Sequence, residues 1–220
     1  MKSSKPIEVV LYQDVLCAWC LVAETRLAPL REEFRELVRW RVRPYPLRVR
    51  ETPPTKRELE ARAKEIHKAR KEPEGARLSS VLWTSGDAPR SSLPALAALE
   101  AAKLQGVTAH AQLSRALRCA ALEQGVNVAR SDVLFELATH VGLDMTRFSA
   151  AFQSAETRRL ILEEHRYASE RGVKGVPTLV IGARWMISGL RSVGEYRELI
   201  LSCLGKTGVT GEGSRERTLH

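Results

Sequence analysis

The run Ile7-Glu8-Val9-Val10-Leu11-Tyr12 leads, through the short connection Gln13-Asp14-Val15-Leu16, into Cys17-Ala18-Trp19-Cys20. The first stretch is nearly continuous in apolar residues and predicts a central strand buried on both faces. The helix that follows opens near Cys17, so both cysteines fall within about one helical turn and can close a disulfide. Unpaired backbone N–H groups and the positive end of the helix dipole favour a thiolate there over a thiol, which makes Cys17 a nucleophile near neutral pH. Thiols in comparable motifs titrate roughly between 3.5 and 7.5 rather than at about 8.5. A structural disulfide or half a zinc site is the competing use of such a pair. A four-sulfur zinc site calls for a second closely spaced pair, whereas Cys119 and Cys203 stand alone, with no histidine at ligand spacing beside either. Trp19, between the cysteines, is placed to shield the thiols or to touch a bound substrate, with plain packing as its other reading.

At 220 residues the chain has room for one large domain, or one domain with an insertion, and 44% hydrophobic residues supply a sizeable core. No apolar run approaches the length of a membrane span. The opening Met1-Lys2-Ser3-Ser4-Lys5-Pro6 has no apolar core and no small-residue cleavage site, so no signal peptide is expected. Two of the four cysteines read as packed and reduced, which fits a cytoplasmic setting. The net charge of +9 permits nucleic-acid binding, but the basic residues are spread among glutamates and only 5% of residues are aromatic. A solvated arginine-rich surface is the expected use of that charge, and nucleic acid is not an expected partner.

Beyond Cys20 the helix is expected to run to about Leu37, with Leu27, Leu30, Phe34 and Leu37 as its apolar stripe and Pro29 within it. Val38-Arg39-Trp40-Arg41-Val42-Arg43 alternates strictly and predicts a half-exposed strand near a sheet edge. From there to about residue 170 the period is helical. Thr55-Lys56-Arg57-Glu58 is a capping box opening a charged, outlying and mobile helix to about Lys71. Glu72 to Arg90 reads as a long loop. Further helices are expected from Ser92 to Gly106, from Thr108 to Gly125 with Cys119 as a small buried hydrophobe, from Ser131 to Gly142, and from Asp144 to Phe152. A last one in this block runs from Ser154 to Gly172 with Leu160, Ile161, Tyr167 and Ala168 inward; its His165 reads as surface or packing rather than catalytic. Strand signals return in Gly175-Val176-Pro177-Thr178-Leu179-Val180-Ile181 and, after the turn Gly182-Ala183-Arg184, in Trp185-Met186-Ile187-Ser188, a β-hairpin. Ser192-Val193-Gly194-Glu195 caps a final helix, and the polar tail from Lys206 to His220 is expected to be disordered.

This order, with Cys17-Ala18-Trp19-Cys20 at one end and Gly175-Val176-Pro177-Thr178 at the other, resembles the thioredoxin superfamily. Within it the chain looks like the DsbA family of thiol-disulfide oxidoreductases, in its FrnE-like branch. Asp14, Arg43-Pro44-Tyr45-Pro46-Leu47 and Ser188-Gly189 stand where such proteins have comparable residues. The resemblance implies an α/β, thioredoxin-like fold carried by residues 1–48 and 166–205, a helical insertion over 49–165 and a disordered tail over 206–220. It implies Cys17 as the exposed nucleophile, Cys20 as the buried resolving cysteine, Pro177 as a cis-proline packed against the disulfide, and Val176 as a backbone partner for an extended substrate strand. Trp19 joins Val176 and Pro177 as a substrate-binding candidate. No metal or organic cofactor is implied: the Cys17–Cys20 disulfide carries the electrons, with glutathione or thioredoxin as reductant. Disulfide-containing or thiol proteins, and glutathione, are the implied partners. Ala18 stands where many relatives have proline, and that dipeptide tunes redox potential, so the direction of exchange stays open. Two other readings are a kappa-like glutathione-dependent transferase or isomerase, against which the retained Cys20 argues, and a non-catalytic thioredoxin-fold binding protein or adaptor.

Overall fold

A computed structural model describes residues 6–206 and 217–219. β1 (Ile7–Gln13), α1 (Ala18–Glu33) and β2 (Val38–Pro44) open the fold as a parallel β–α–β unit. Ile7, Val9 and Leu11 share one face of β1 and pack on Leu27, Leu30 and Phe34. The opposite face is covered less fully than expected: Glu8 is exposed and Val10 half-buried, and only Tyr12 is enclosed there, against Ala168 and Val173. Helix α1 passes through Pro29 but stops at Glu33, short of the expected Leu37, which is 46% exposed. The Leu37 carbonyl accepts the Ile7 N–H at 3.0 Å, so the backbone leaves the helix there to set Val38 opposite Ile7.

Between β2 and the next strand the chain is helical: α2 (Lys56–Ala69), α3 (Val81–Thr84), α4 (Leu93–Lys103), α5 (Val107–Arg118), α6 (Ser131–His140), α7 (Met145–Phe152) and α8 (Ala155–Glu170). Leu96, Leu113, Leu117, Leu134, Phe148 and Ile161 build a core of their own there, which also takes in Val15, Leu16 and Ala18 at the start of α1. The Thr55–Glu58 capping box forms. Helix α2 is nevertheless not an outlier, because Leu59, Ala63 and Ile66, at helical spacing, pack onto this core. The expected loop from Glu72 to Arg90 is likewise tied down, with a 3₁₀ turn at Pro73–Gly75, the short α3, and buried Leu78, Leu82 and Trp83. Gly75 is needed at that turn: a Cβ there would come within 2.0 Å of the Ala69 carbonyl oxygen. Cys119, expected to be buried, is half-exposed at the start of a π-helical turn, Cys119–Glu123. Leu160 and Tyr167 of α8 point outward, at 38% and 52% exposed, while Ile161 and Ala168 carry the packing. His165 packs against Tyr45 in a tilted arrangement with ring centroids 4.6 Å apart, a packing role.

The exit from β2 is pinned by Arg48. Its guanidinium donates to the Arg90 carbonyl at 3.2 Å and the Thr52 carbonyl at 3.0 Å, and pairs with Glu58 at 2.7 Å. Arg48→Met leaves both carbonyls without that donor and is expected to lower stability by about 2 kcal/mol. Urea denaturation measures it, and an unchanged midpoint would show that the segment is held by its apolar contacts alone.

β3 (Thr178–Ile181) and β4 (Trp185–Ser188) form the hairpin, turning through Gly182 and Ala183, both at positive φ. α9 (Val193–Lys206) starts at the Ser192–Glu195 box and lays Tyr196, Ile200 and Cys203 on the sheet. The tail expected to be disordered contributes β5 (Arg217–Leu219), parallel to β4, where the free backbone edge of β4 accepts it; residues 207–216 and 220 lie outside the described residues. The sheet order is β2-β1-β3-β4-β5, and β3 is antiparallel to β1. Tyr12 lies opposite Thr178, so the end of β1 and the start of β3 reach the same rim of the sheet.

Candidate active site

That rim brings Gly175-Val176-Pro177 beside the residues that follow β1, although 159 positions separate Cys17 from Val176. Cys17 is the N-cap of α1, with extended backbone. Its carbonyl accepts the Cys20 and Leu21 N–H groups at 3.1 and 3.3 Å, starting the helix, and its Sγ accepts the Cys20 N–H at 3.3 Å. A sulfur in the N-cap position takes the place usually held by a serine or aspartate oxygen, and a thiolate is the better acceptor. The Cys17 thiol also reaches the Val176 carbonyl at 3.5 Å, and the Val176–Pro177 peptide bond is cis. Both cysteines are reduced.

The two thiols differ in environment. Hydrogen bonding from the Cys20 thiol, then from the Cys20 N–H, holds Cys17 below the ordinary thiol range against the opposing effect of burial. Burial first, and then the bond it gives to Cys17, push the Cys20 thiol well up. Cys20 has no exposure, and Cys17 has 6% rather than the surface position expected for it. The helical block encloses it: Glu65, Ile66 and Trp83, together with Trp19 of α1 and Val176 ahead of β3, wall a cavity of about 210 Å³ at Cys17. The indole N–H of Trp19 donates to Glu65 at 2.8 Å, which clamps α2 to the cysteine turn. A second cavity, about 450 Å³, runs along Lys174, Val176, Pro177 and Ser188.

Beneath the pair lies Asp14, fully buried, accepting the Leu16 N–H at 2.9 Å and the Leu47 N–H at 2.6 Å, with the Ser92 hydroxyl as a third partner. Burial raises its carboxyl above the ordinary range, and its charge opposes the Cys17 thiolate. Gln13, next to it, holds the buried Arg118 of α5 at 2.6 Å, and that guanidinium favours the thiolate. The structure brings Cys17, Cys20, Trp19, Val176 and Pro177 into one neighbourhood. Glu65, Trp83 and Arg118 were not singled out. Trp83 lies in what read as loop and Glu65 on a helix that read as outlying; an isolated arginine on a helix carries no sequence signal of burial. Among the described residues no three histidine, cysteine or acidic side chains converge as metal ligands, and no helix is long and apolar enough to cross a membrane.

The different thiols set an expected result. Iodoacetamide should label Cys17 first in the reduced protein, with a rate that titrates below the free-cysteine value of about 8.5, while Cys20, Cys119 and Cys203 lag. Mass spectrometry of the labelled peptides across pH measures this. A Cys17 profile matching a free thiol would remove the case for a stabilised thiolate.

A mixed sheet of this topology with paired thiols at the start of its first helix defines a class, the thiol-disulfide oxidoreductases with a DsbA-like thioredoxin fold. The chain belongs to the family of DSBA-like thioredoxin domains, whose model matches residues 8–200. In sequence it is 27% identical over 209 residues to the ClpXP adapter protein SpxH of Bacillus subtilis, covering 91% of this chain and 69% of that one. In structure it is similar to a provisional protein disulfide isomerase from Nitrosomonas europaea, with TM-score 0.80, 20% identity, and coverage of 92% of this chain and 99% of that one. The cytosolic disulfide reductase DsbM of Pseudomonas aeruginosa, solved with GSH, aligns at TM-score 0.65 and 19% identity, over 91% of this chain and 97% of DsbM.

Proposed function

We propose that this chain exchanges disulfides with thiol proteins or low-molecular-weight thiols through Cys17-Ala18-Trp19-Cys20, in the cytoplasm, as a member of the FrnE-like branch. The observation that carries this reading is the Cys17 sulfur accepting the Cys20 N–H at the mouth of a helix, with a raised Cys20 thiol beneath it. The Cys17 thiolate attacks one sulfur of a substrate disulfide; that bond breaks, the other sulfur leaves as a thiolate, and a mixed disulfide forms. Cys20 then loses its proton and attacks the Cys17 sulfur, which closes the Cys17–Cys20 disulfide and releases the substrate carrying two more electrons. Glutathione or thioredoxin restores the dithiol, and no metal or organic cofactor takes part. Val176 offers backbone groups to an extended substrate beside Pro177, and Trp19 covers the reacting sulfurs. Residues 1–48 and 166–205 serve as the thioredoxin-like domain and 49–165 as the insertion that shapes access.

A second reading, an adapter that presents a client protein to a ClpXP-type protease, is favoured by the similarity to SpxH. The retention of both cysteines, with their unlike environments, favours exchange. Insulin reduction in the presence of dithiothreitol, run beside glutathione conjugation and a ClpXP degradation assay, separates the readings. Insulin turnover that disappears in Cys17→Ser supports exchange. Client degradation stimulated equally by the wild type and Cys17→Ser, without insulin turnover, would establish the adapter instead.

A further inference from the structure

Further along α1 from Cys17, a cleft of about 550 Å³ lies between α1 and α5. Its walls carry small side chains at helical spacing, Thr25 and Ala28 on α1 and Ala111 and Ser114 on α5, so the two helices leave space rather than interdigitate. Its lining is rich in guanidinium groups. Arg31 and Arg118 share one carboxylate, Glu24, at 3.6 and 3.2 Å. Arg115, exposed at the mouth, has no ion pair among the described residues. The other acids there are already engaged, Glu123 with Arg77 at 2.7 Å and Glu74 with Arg26 at 2.9 Å.

The donors in this cleft outnumber their acceptors. Arg118 is 4% exposed and Ser114 3%, yet Nε and Nη1 of Arg118 and the Ser114 hydroxyl have no hydrogen-bond partner, nor do Nε and Nη2 of Arg31. Arg31 is held in place by the Trp40 ring, 5.7 Å away, which satisfies none of those N–H groups. Buried guanidinium groups short of acceptors are costly, and native structures supply the missing oxygens from elsewhere. His110, one turn before Ser114, senses the same excess: burial, with Lys103, Arg118 and Arg31 nearby, brings it down to about 4.

We propose that this cleft binds a small organic molecule through an oxyanion, a carboxylate or a phosphate group, received by Arg31, Arg115 and Arg118 with the Ser114 hydroxyl. Planar guanidinium forks match both groups in bidentate fashion. The volume exceeds what a bare ion fills and sits in the range of small-molecule sites, so the rest of the ligand lies along Leu21, Ala28 and Ala111. The cleft and the thiol cavity have different linings, and Arg118 reaches toward the thiol site by its bond to Gln13.

The test is isothermal titration of the full reduced chain with inorganic phosphate and with succinate, each against sodium chloride at matched ionic strength. Saturable one-to-one binding of at least one of the two is expected in the millimolar range or tighter, weakened about tenfold or more by Arg115→Ala and by Arg118→Met. Binding of phosphate alone or succinate alone identifies the recognised group. Arg115 is exposed, so its variant keeps the test decisive if Arg118→Met fails to fold. No saturation with either anion, or binding indifferent to Arg115→Ala, overturns the proposal.

Discussion

Cys20→Ser should accumulate mixed disulfides through Cys17, whereas Cys17→Ser should lose turnover by on the order of a thousandfold and trap almost nothing. The reason is the unequal footing of the two sulfurs. Cys17 sits at the N-cap with a backbone N–H on its sulfur, so attack does not require Cys20. Cys20 lies one turn deeper with no exposure and a raised thiol, so it acts only on a sulfur already bonded to Cys17. Removing it leaves the first step intact and closes the exit from the intermediate. Cys119→Ser and Cys203→Ser should change neither outcome. Non-reducing electrophoresis with mass spectrometry of the adducts reads all four variants. Equal trapping by Cys17→Ser and Cys20→Ser would falsify the assignment of nucleophile and resolver.

The largest loss of stability is expected at Asp14. Asp14→Ala deprives the Leu16 and Leu47 N–H groups and the Ser92 hydroxyl of their acceptor in a fully buried place. Each orphaned donor costs about 1–3 kcal/mol, partly offset by relief of a buried carboxyl, for a net loss of about 3 kcal/mol. The pH dependence has a definite sign. Burial raises the native Asp14 carboxyl above its unfolded value, so the native state holds the proton more tightly. Wild-type stability should therefore fall as pH rises from the ordinary carboxylate range through the native Asp14 value. Asp14→Asn lacks that dependence, and by removing a charge that opposes the thiolate it should also speed alkylation of Cys17. Urea midpoints from about pH 4 to about pH 8 for wild type and Asp14→Asn measure the first effect. Parallel curves would mean that Asp14 titrates in the native state as it does in the unfolded chain.

Much of the architecture was legible in short windows. The capping boxes at Thr55 and Ser192, the alternation from Val38 to Arg43, and the hairpin around Gly182 each depend on residues a few positions apart, and each formed. The misread elements failed for one shared reason. Whether α1 continues past Glu33 is decided by Ile7 taking the Leu37 carbonyl, and whether α2 lies free is decided by the core that receives Ile66. Neither partner is within reach of a local window.

The sequence by itself determined that two thiols stand at the mouth of a helix following a central strand, that a helical block separates this unit from a proline-led hairpin, and that Cys17 is the thiol favoured as thiolate. These follow from peptide geometry, helix dipoles and hydrophobic period, which act over a turn or two. Only the tertiary structure decided how deeply Cys17 is enclosed, which carboxyl and which guanidinium lie near it, and where guanidinium N–H groups are left short of acceptors. Those depend on contacts between residues 46, 105 and 159 positions apart, Trp19 with Glu65, Gln13 with Arg118, and Cys17 with Val176. Burial and charge pairing are properties of what the whole chain brings to one place, and no single segment carries them.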